Sequence, residues 1–390
     1  MHRSRRSRDG YDVRRASVFS RHPGAVRCRT LGAPSMHTDI PSFDPALAAR
    51  LQAAVDSKTK PLGALGRLES LAVQIGLIQG TEAPVLARPA MVVFAADHGV
   101  AQSGVSAYPQ AVTAQMVLNF IAGGAAVNVF CRQHGFALEI VNAGVATPLW
   151  SLNVSGLIDA PIGAGTRNFA HEPAMTPAQR DRAMALGAQR VAAHAELGTN
   201  VIALGEMGIG NTASAACLMA RLCDLPVAQC VGRGTGLDDA GLAHKRTVLE
   251  NALATHREVR APLDVLACFG GFEIAAMAGA MLEAARRRMV ILVDGFIASA
   301  AALVATRIAP EVLRFCVFAH LSDEQGHRTL LAALGVEPLL QLSMRLGEGS
   351  GAALAYPLAA SAVAFLREMA TFASAGVSEQ SAPPALDPAA

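Results

Sequence analysis

Five apolar runs of strand length recur along the chain without alternation of polar and apolar positions, and this pattern restricts the fold more than any other feature. They are Ala90–Ala96 (AMVVFAA), Ala137–Val141 (ALEIV), Asn200–Leu204 (NVIAL), Met289–Val293 (MVILV) and Leu313–Ala319 (LRFCVFA). A strand that is apolar on both faces belongs in a sheet covered on both sides, and such sheets are parallel. Parallel strands need crossover connections, which run right-handed and leave every strand's carboxyl end on one edge. Between the runs lie Ala-rich segments of helical period, most of them preceded by a Gly-containing polar turn. The predicted fold is α/β: a three-layer, Rossmann-like parallel sheet with helices on both faces.

The flanking segments read differently. A helical stretch from Pro45 to about Ile78, broken by the turn-like Lys60–Glu69, and a second from Thr329 to Ser374 contain no strand. They are expected to meet as a small discontinuous helical domain, 37–85 with 330–376, beside a large substrate-binding domain, 86–329. Residues 1–36 carry nine Arg against Asp9 and Asp12. This leader lacks the apolar core of a secretory signal and reads either as a transit peptide or as a disordered extension ahead of Met36; the disordered extension is the expectation adopted. Residues 377–390 read as a frayed Pro/Ala/Ser tail.

Composition narrows the function. The 390 residues hold 33 basic and 31 acidic side chains, a net charge of +2, which excludes a nucleic-acid binder working through bulk charge. Hydrophobic residues reach 52% and charged ones only 16%, so a large buried core is expected. The longest uncharged stretches, Gly99–Cys131 and Gly349–Leu366, are interrupted by Gln, Ser, Asn, Pro or Gly, and neither reads as a membrane span. The seven cysteines form no CxxC pair, which fits buried thiols in a reducing cytoplasm.

In open α/β sheets ligands bind at the carboxyl edge, so the residues just after each run are candidates. Foremost is Gly205–Ala216 (GEMGIGNTASAA), between a strand and an Ala-rich helix. Its glycines, Gly208 among them, let a backbone approach a ligand, and Asn211 and Thr212 can cap a helix whose amino end attracts phosphate. A plain tight turn explains the same glycines. The segment also matches GxGxxA, but no acid follows about 20 residues on, which weakens a nicotinamide-dehydrogenase reading. A second loop, Gly232, Gly234 and Gly236, precedes Lys245, one of three lysines among 30 arginines. That lysine is either a point charge for phosphate or placed there by chance. Glu348, between Gly347 and Gly349, is either a desolvated general base or an ordinary helix-start acid. Glu206 and Asp294 stand at strand ends, where they can bind ribose hydroxyls or assist that base. His98, His320, His327, Asp97 and Asp323 show no metal-ligand spacing, so no metal is expected. Neither GxSxG nor GxxxxGK[ST] occurs.

Several ordered segments resemble one family. KPLGALGRLE, AADHGV with VSAYPQAVTAQM, GTRNF, GEMGIGNT, GGFEIAAMAGAM, LVDGF and MRLGEGSGAALA follow one another as in the nicotinate-nucleotide–dimethylbenzimidazole phosphoribosyltransferase family, from about Asp39 to Ser374. The resemblance implies transfer of the 5-phosphoribosyl group of nicotinate mononucleotide to 5,6-dimethylbenzimidazole. The products are α-ribazole 5′-phosphate and nicotinate, as cobalamin nucleotide-loop assembly requires, with no cofactor and in a cytoplasmic homodimer. It implies Glu348 as the catalytic base and Glu206 beside the reaction centre. Gly208, Gly232, Gly234 and Lys245 would hold phosphate. Tyr108, Gln115 and Met116, with Arg345 and Leu346, would line the base pocket. Tyr108 stands where some members have a small hydroxyl residue and Met116 where some have an amide, which bears on the choice of base and not on the reaction class. A nucleotide-binding oxidoreductase and a non-catalytic nucleotide-binding protein are the alternatives.

Overall fold

Pro45–Asp56 (α1) starts where Asp44 accepts the Ala46 amide at 2.9 Å ahead of a proline already set for helix, and Arg67–Gln79 (α2) follows the expected break. The first strand, Ala90–Ala96 (β1), is buried at every position. Two helices, Ala111–Ala122 (α3) and Ala126–His134 (α4), lead to Ala137–Gly144 (β2) and then to a short edge strand, Leu157–Asp159 (β3). Pro177–Glu196 (α5), opened by a reciprocal Thr176–Gln179 cap, crosses back to Val201–Met207 (β4).

Five helices follow: Asn211–Cys223 (α6), Val227–Cys230 (α7), Asp239–Thr255 (α8), Pro262–Phe269 (α9) and Phe272–Arg286 (α10). Val290–Val293 (β5), Phe296–Ile308 (α11) and Cys316–Phe318 (β6) complete the sheet. The last helices among the described residues are His327–Leu334 (α12), Ser350–Glu368 (α13) and Phe372–Ala375 (α14).

This is a computed structural model that describes residues 39–149 and 155–378. The expected extension over 1–36 and residues 379–390 of the expected tail lie outside the described residues. The described residues fall in a single compact unit.

All six strands are parallel, in the order β3-β2-β1-β4-β5-β6. The α/β fold therefore stands as predicted, and four apolar runs map onto β1, β2, β4 and β5. The fifth is strand only over its second half, because Pro310–Phe315 is a 3-10 turn. Helices α10 and α11 are buried along almost their whole length, as apolar, Ala-rich crossovers between layers must be.

The terminal segments meet. Helix α2 packs on α13, and Lys58 Nζ donates to the Met369 carbonyl at 2.7 Å. Two stretches, Ala111–His134 and Ser350–Glu368, have the length and composition of a membrane span. The first is broken at Gly123 and Gly124 between α3 and α4, and α13 lays a buried face of small residues against the fold.

Candidate functional site

Strand order reverses between β1 and β4, and at that point the crossovers leave toward opposite faces, opening a crevice at the carboxyl edge. Register sets Glu206, next to last in β4, against Phe94 of β1. On the other side of β1 the pairing with β2 slips between Ala95 and Ala96, which re-aims the chain just before Asp97.

A turn from the distant C-terminal segment closes over this edge. Gly347, Glu348 and Gly349 all take positive φ, at 85°, 64° and 88°. For the two glycines this is free, whereas at Glu348 it costs about 1–2 kcal/mol, a strain that persists only where the surroundings enforce it. The enforcement is visible. Gly205 lies so close beneath the turn that a Cβ there would stand 2.2 Å from the Glu348 carbonyl oxygen. The Glu348 N–H donates to Glu206 Oε1 at 3.4 Å. Asp294, directly after β5, accepts from Gly349 N at 3.2 Å and from Ala352 N at 2.9 Å, so both its oxygens hold the amino end of α13.

Glu348 is thereby buried, 5% exposed. The Val127 N–H at the start of α4 faces the carboxylate and favours its charge. Burial outweighs this, with a smaller push from Asp294, and raises the pKa to about 7. Oxygen Oε2 has no hydrogen-bond partner among the described residues. A desolvated carboxylate with one free oxygen and a pKa near neutrality is equipped to take a proton.

Neighbouring acids deepen the effect. Burial, then Asp294, then Glu273 push Glu206 up to about 8, against hydrogen bonds from the Glu348 N–H and the Asn211 amide. Asn211 does not cap α6: Gly210, at φ 98°, holds the cap position and frees the Asn211 side chain for Glu206. Burial also raises Asp294, opposed first by His320, whose Nε2 lies 3.8 Å from Oδ1. Behind the crevice His98 Nε2 meets Glu273 Oε1 at 2.6 Å, both side chains fully buried.

The second glycine loop forms the other half of the site. Lys245, on α8, reaches inward to give Nζ to Thr212 Oγ1 at 2.8 Å and to the Gly232 carbonyl at 3.2 Å. Burial lowers its pKa to about 8, with Glu324 pulling the other way. Arg345 reaches the Gly234 carbonyl at 3.3 Å. Thr212 at the start of α6, Gly232, Gly234 and Lys245 thus converge at a helix amino end, an arrangement suited to an anion. Gly208 packs against the end of β1, where a Cβ would stand 2.3 Å from the Ala96 carbonyl oxygen.

Glu206, Asn211, Asp294 and Glu348 are therefore one cluster, and Thr212, Gly232, Gly234, Lys245 and Arg345 another. Tyr108, Gln115 and Leu346 are exposed and Met116 is half-buried; among the described residues none of these side chains hydrogen-bonds to the carboxylates. Sequence reasoning passed over Glu273, Glu324 and the Val127 amide, and weighed His98 and His320 only as metal ligands. Both histidines sit directly past strand ends, so the strand-end rule alone was enough to place them here. No group of three or more His, Cys, Asp or Glu side chains among the described residues is arranged to hold a metal.

Comparison with known proteins agrees with this geometry. A family model described as phosphoribosyltransferase matches residues 40–377. Over 355 residues the chain is 91% identical to the nicotinate-nucleotide–dimethylbenzimidazole phosphoribosyltransferase of Ralstonia nicotianae, covering 91% of this chain and 100% of that protein. The protein of the same name from Cupriavidus necator is 67% identical over 343 residues, 88% of this chain and 99% of that one. Among solved structures, CobT from Thermus thermophilus superposes with a TM-score of 0.83 at 45% identity, covering 86% of this chain and 100% of that one.

Proposed function

The chain belongs to the nicotinate-nucleotide–dimethylbenzimidazole phosphoribosyltransferase family, and from that membership we infer its activity. It moves the 5-phosphoribosyl group of nicotinate mononucleotide to 5,6-dimethylbenzimidazole, releasing nicotinate and forming α-ribazole 5′-phosphate for cobalamin assembly. The oxidoreductase and binding-only alternatives lose their ground at this identity.

We propose that the two clusters divide the work. Nicotinate joined through its ring nitrogen is a pyridinium, so it leaves as a neutral ring nitrogen and needs no protonation. The benzimidazole nitrogen attacks the anomeric carbon from the opposite face, which inverts β to α, while its other nitrogen gives its proton to Glu348 Oε2. Thr212, Gly232, Gly234 and Lys245 hold the 5′-phosphate, with Gly208 letting the backbone come close. Anchoring one end of the nucleotide makes the attack effectively unimolecular. Glu206 and Asp294 hold the Glu348 turn through its amides and stand nearest the ribose. Tyr108, Gln115, Met116 and Leu346 supply the wall against which the aromatic base packs. Leu118 and Val129, apolar and exposed on α3 and α4, support a homodimer.

The observation that carries this reading is the buried Glu348 carboxylate with its unpartnered oxygen at the sheet's switch point. The test is incubation of purified protein with nicotinate mononucleotide and a panel of benzimidazoles, purines and phenols, with products identified by mass. α-Ribazole 5′-phosphate and stoichiometric nicotinate are expected; nicotinate release without any ribosylated base refutes the transferase reading.

A further inference from the structure

Resting on the phosphate-cradle reading of the second glycine loop, we propose that Glu324 is a built-in competitor for the 5′-phosphate and sets the specificity of that cradle for a whole nucleotide over a bare anion. The carboxylate of Glu324 lies against the loop: the Gly234 N–H points between its two oxygens, at 3.3 and 3.2 Å. It presses so close to Gly232 that a Cβ there would stand 2.3 Å from Oε1. Glu324 is buried, and its charge acts on Lys245, the cation of the same cradle.

A backbone N–H, a lysine and a helix amino end make an anion site, and in the ligand-free chain an anion is already there: the protein's own carboxylate. An incoming phosphate meets a cradle whose charge is already balanced and a like charge at close range, which opposes its entry. Inorganic phosphate offers only the charge and hydrogen bonds of the phosphate group itself to overcome this. A nucleotide adds its ribose and ring contacts, and these supply the free energy to move the side chain.

A destination exists. Glu324 borders a cleft lined also by Ser322, Asp323, Gln325, Arg328, Gln341 and Ser343, with Arg328 its cation. Arg328, four residues on in the first turn of α12, has no ion-pair partner among the described residues. Rotation of Glu324 toward it frees the Gly234 N–H and removes the repulsion together.

The experiment measures inorganic phosphate as a competitive inhibitor against nicotinate mononucleotide, and by calorimetry, for the wild type, Glu324→Gln, Glu324→Ala and each combined with Lys245→Met. Glu324→Gln keeps the side chain's shape, and Glu324→Ala checks that any change follows the lost charge. Tightening of phosphate by about tenfold or more in both variants, abolished when Lys245→Met is added, is the expected result. Unchanged or weaker phosphate binding in both, with Lys245→Met still weakening the wild type, overturns the role of Glu324 and leaves the cradle standing. No effect of Lys245→Met on phosphate or nucleotide overturns the cradle and this inference together.

Discussion

Glu348→Gln removes one proton acceptor and little else. The amide oxygen still faces the Val127 N–H, the backbone turn keeps its glycines, and the volume is unchanged. A positioned general base contributes about 10²- to 10⁴-fold, so kcat falls by that factor, equivalent to about 3–5 kcal/mol of barrier. The KM for nicotinate mononucleotide stays within a few-fold, because the phosphate is held at the other cluster. The pH profile gives a second, independent reading. Burial raises Glu348 to about 7, and only the ionised form accepts a proton. Wild-type kcat therefore rises about tenfold per pH unit below that value and levels off above it, and the variant loses this limb. Nicotinate release at saturating substrates between pH 5 and 9, followed by chromatography, measures both. A variant within threefold of wild type, or one that keeps the acidic limb, refutes the assignment of Glu348 as base.

Asp294→Asn leaves one oxygen for two amide donors, so either Gly349 or Ala352 loses its acceptor; a stability loss of about 1–3 kcal/mol by urea unfolding and a fall in kcat greater than any rise in KM are expected. Gly205→Ala drives a methyl group to within 2.2 Å of the Glu348 carbonyl oxygen, and either unfolding below the wild-type melting temperature or a displaced turn with at least tenfold lower kcat follows; full activity and stability contradict the close packing. Glu206, raised to about 8, holds its proton in the folded chain where the unfolded chain, at 4.5, has released it. Its contribution to stability is thus present below about pH 4.5 and lost as pH rises through about 8, by a few kcal/mol. Urea unfolding at pH 5, 7 and 9 shows a decline that flattens in Glu206→Gln; an equal decline in both contradicts this.

What was legible in the sequence was what depends on neighbours in the chain. AMVVFAA and MVILV are apolar throughout because both faces of β1 and β5 are covered, and that demand is local. Leu157–Asp159 escaped notice because a three-residue edge strand with an exposed Asp159 carries no such pattern. Glu348 stood out between glycines, but its pKa is set first by burial beneath the folded chain, then by the opposing Val127 N–H and the smaller push of Asp294, hundreds and tens of residues away. Asn211 read as a cap because Asn caps helices; Gly210 took that place, and only the fold brings the Asn211 amide onto Glu206. Glu324 meets Gly234 across 90 residues and His98 meets Glu273 across 175, pairings that no spacing rule reaches.

These long-range pairings explain why the base comes from outside the sheet. Glu206 and Asp294, on β4 and just past β5, are held by register and by buried hydrogen bonds: the Asp294 oxygens accept from backbone amides, and the Glu206 oxygens from the Glu348 N–H and the Asn211 side-chain amide. A carboxylate committed in that way has no oxygen free to meet a substrate N–H, and Glu206, raised to about 8, already holds its own proton near neutral pH. Glu348 escapes the constraint because its main chain is fixed while one of its oxygens is not. Strand-end acids hold the turn, the turn holds the base, and the strain at φ 64° is sustained by the same hydrogen bonds that keep the base dry. Loosening any of them relaxes the backbone and admits water, so positioning and basicity are expected to fail together in Asp294→Asn and separately only in Glu348→Gln.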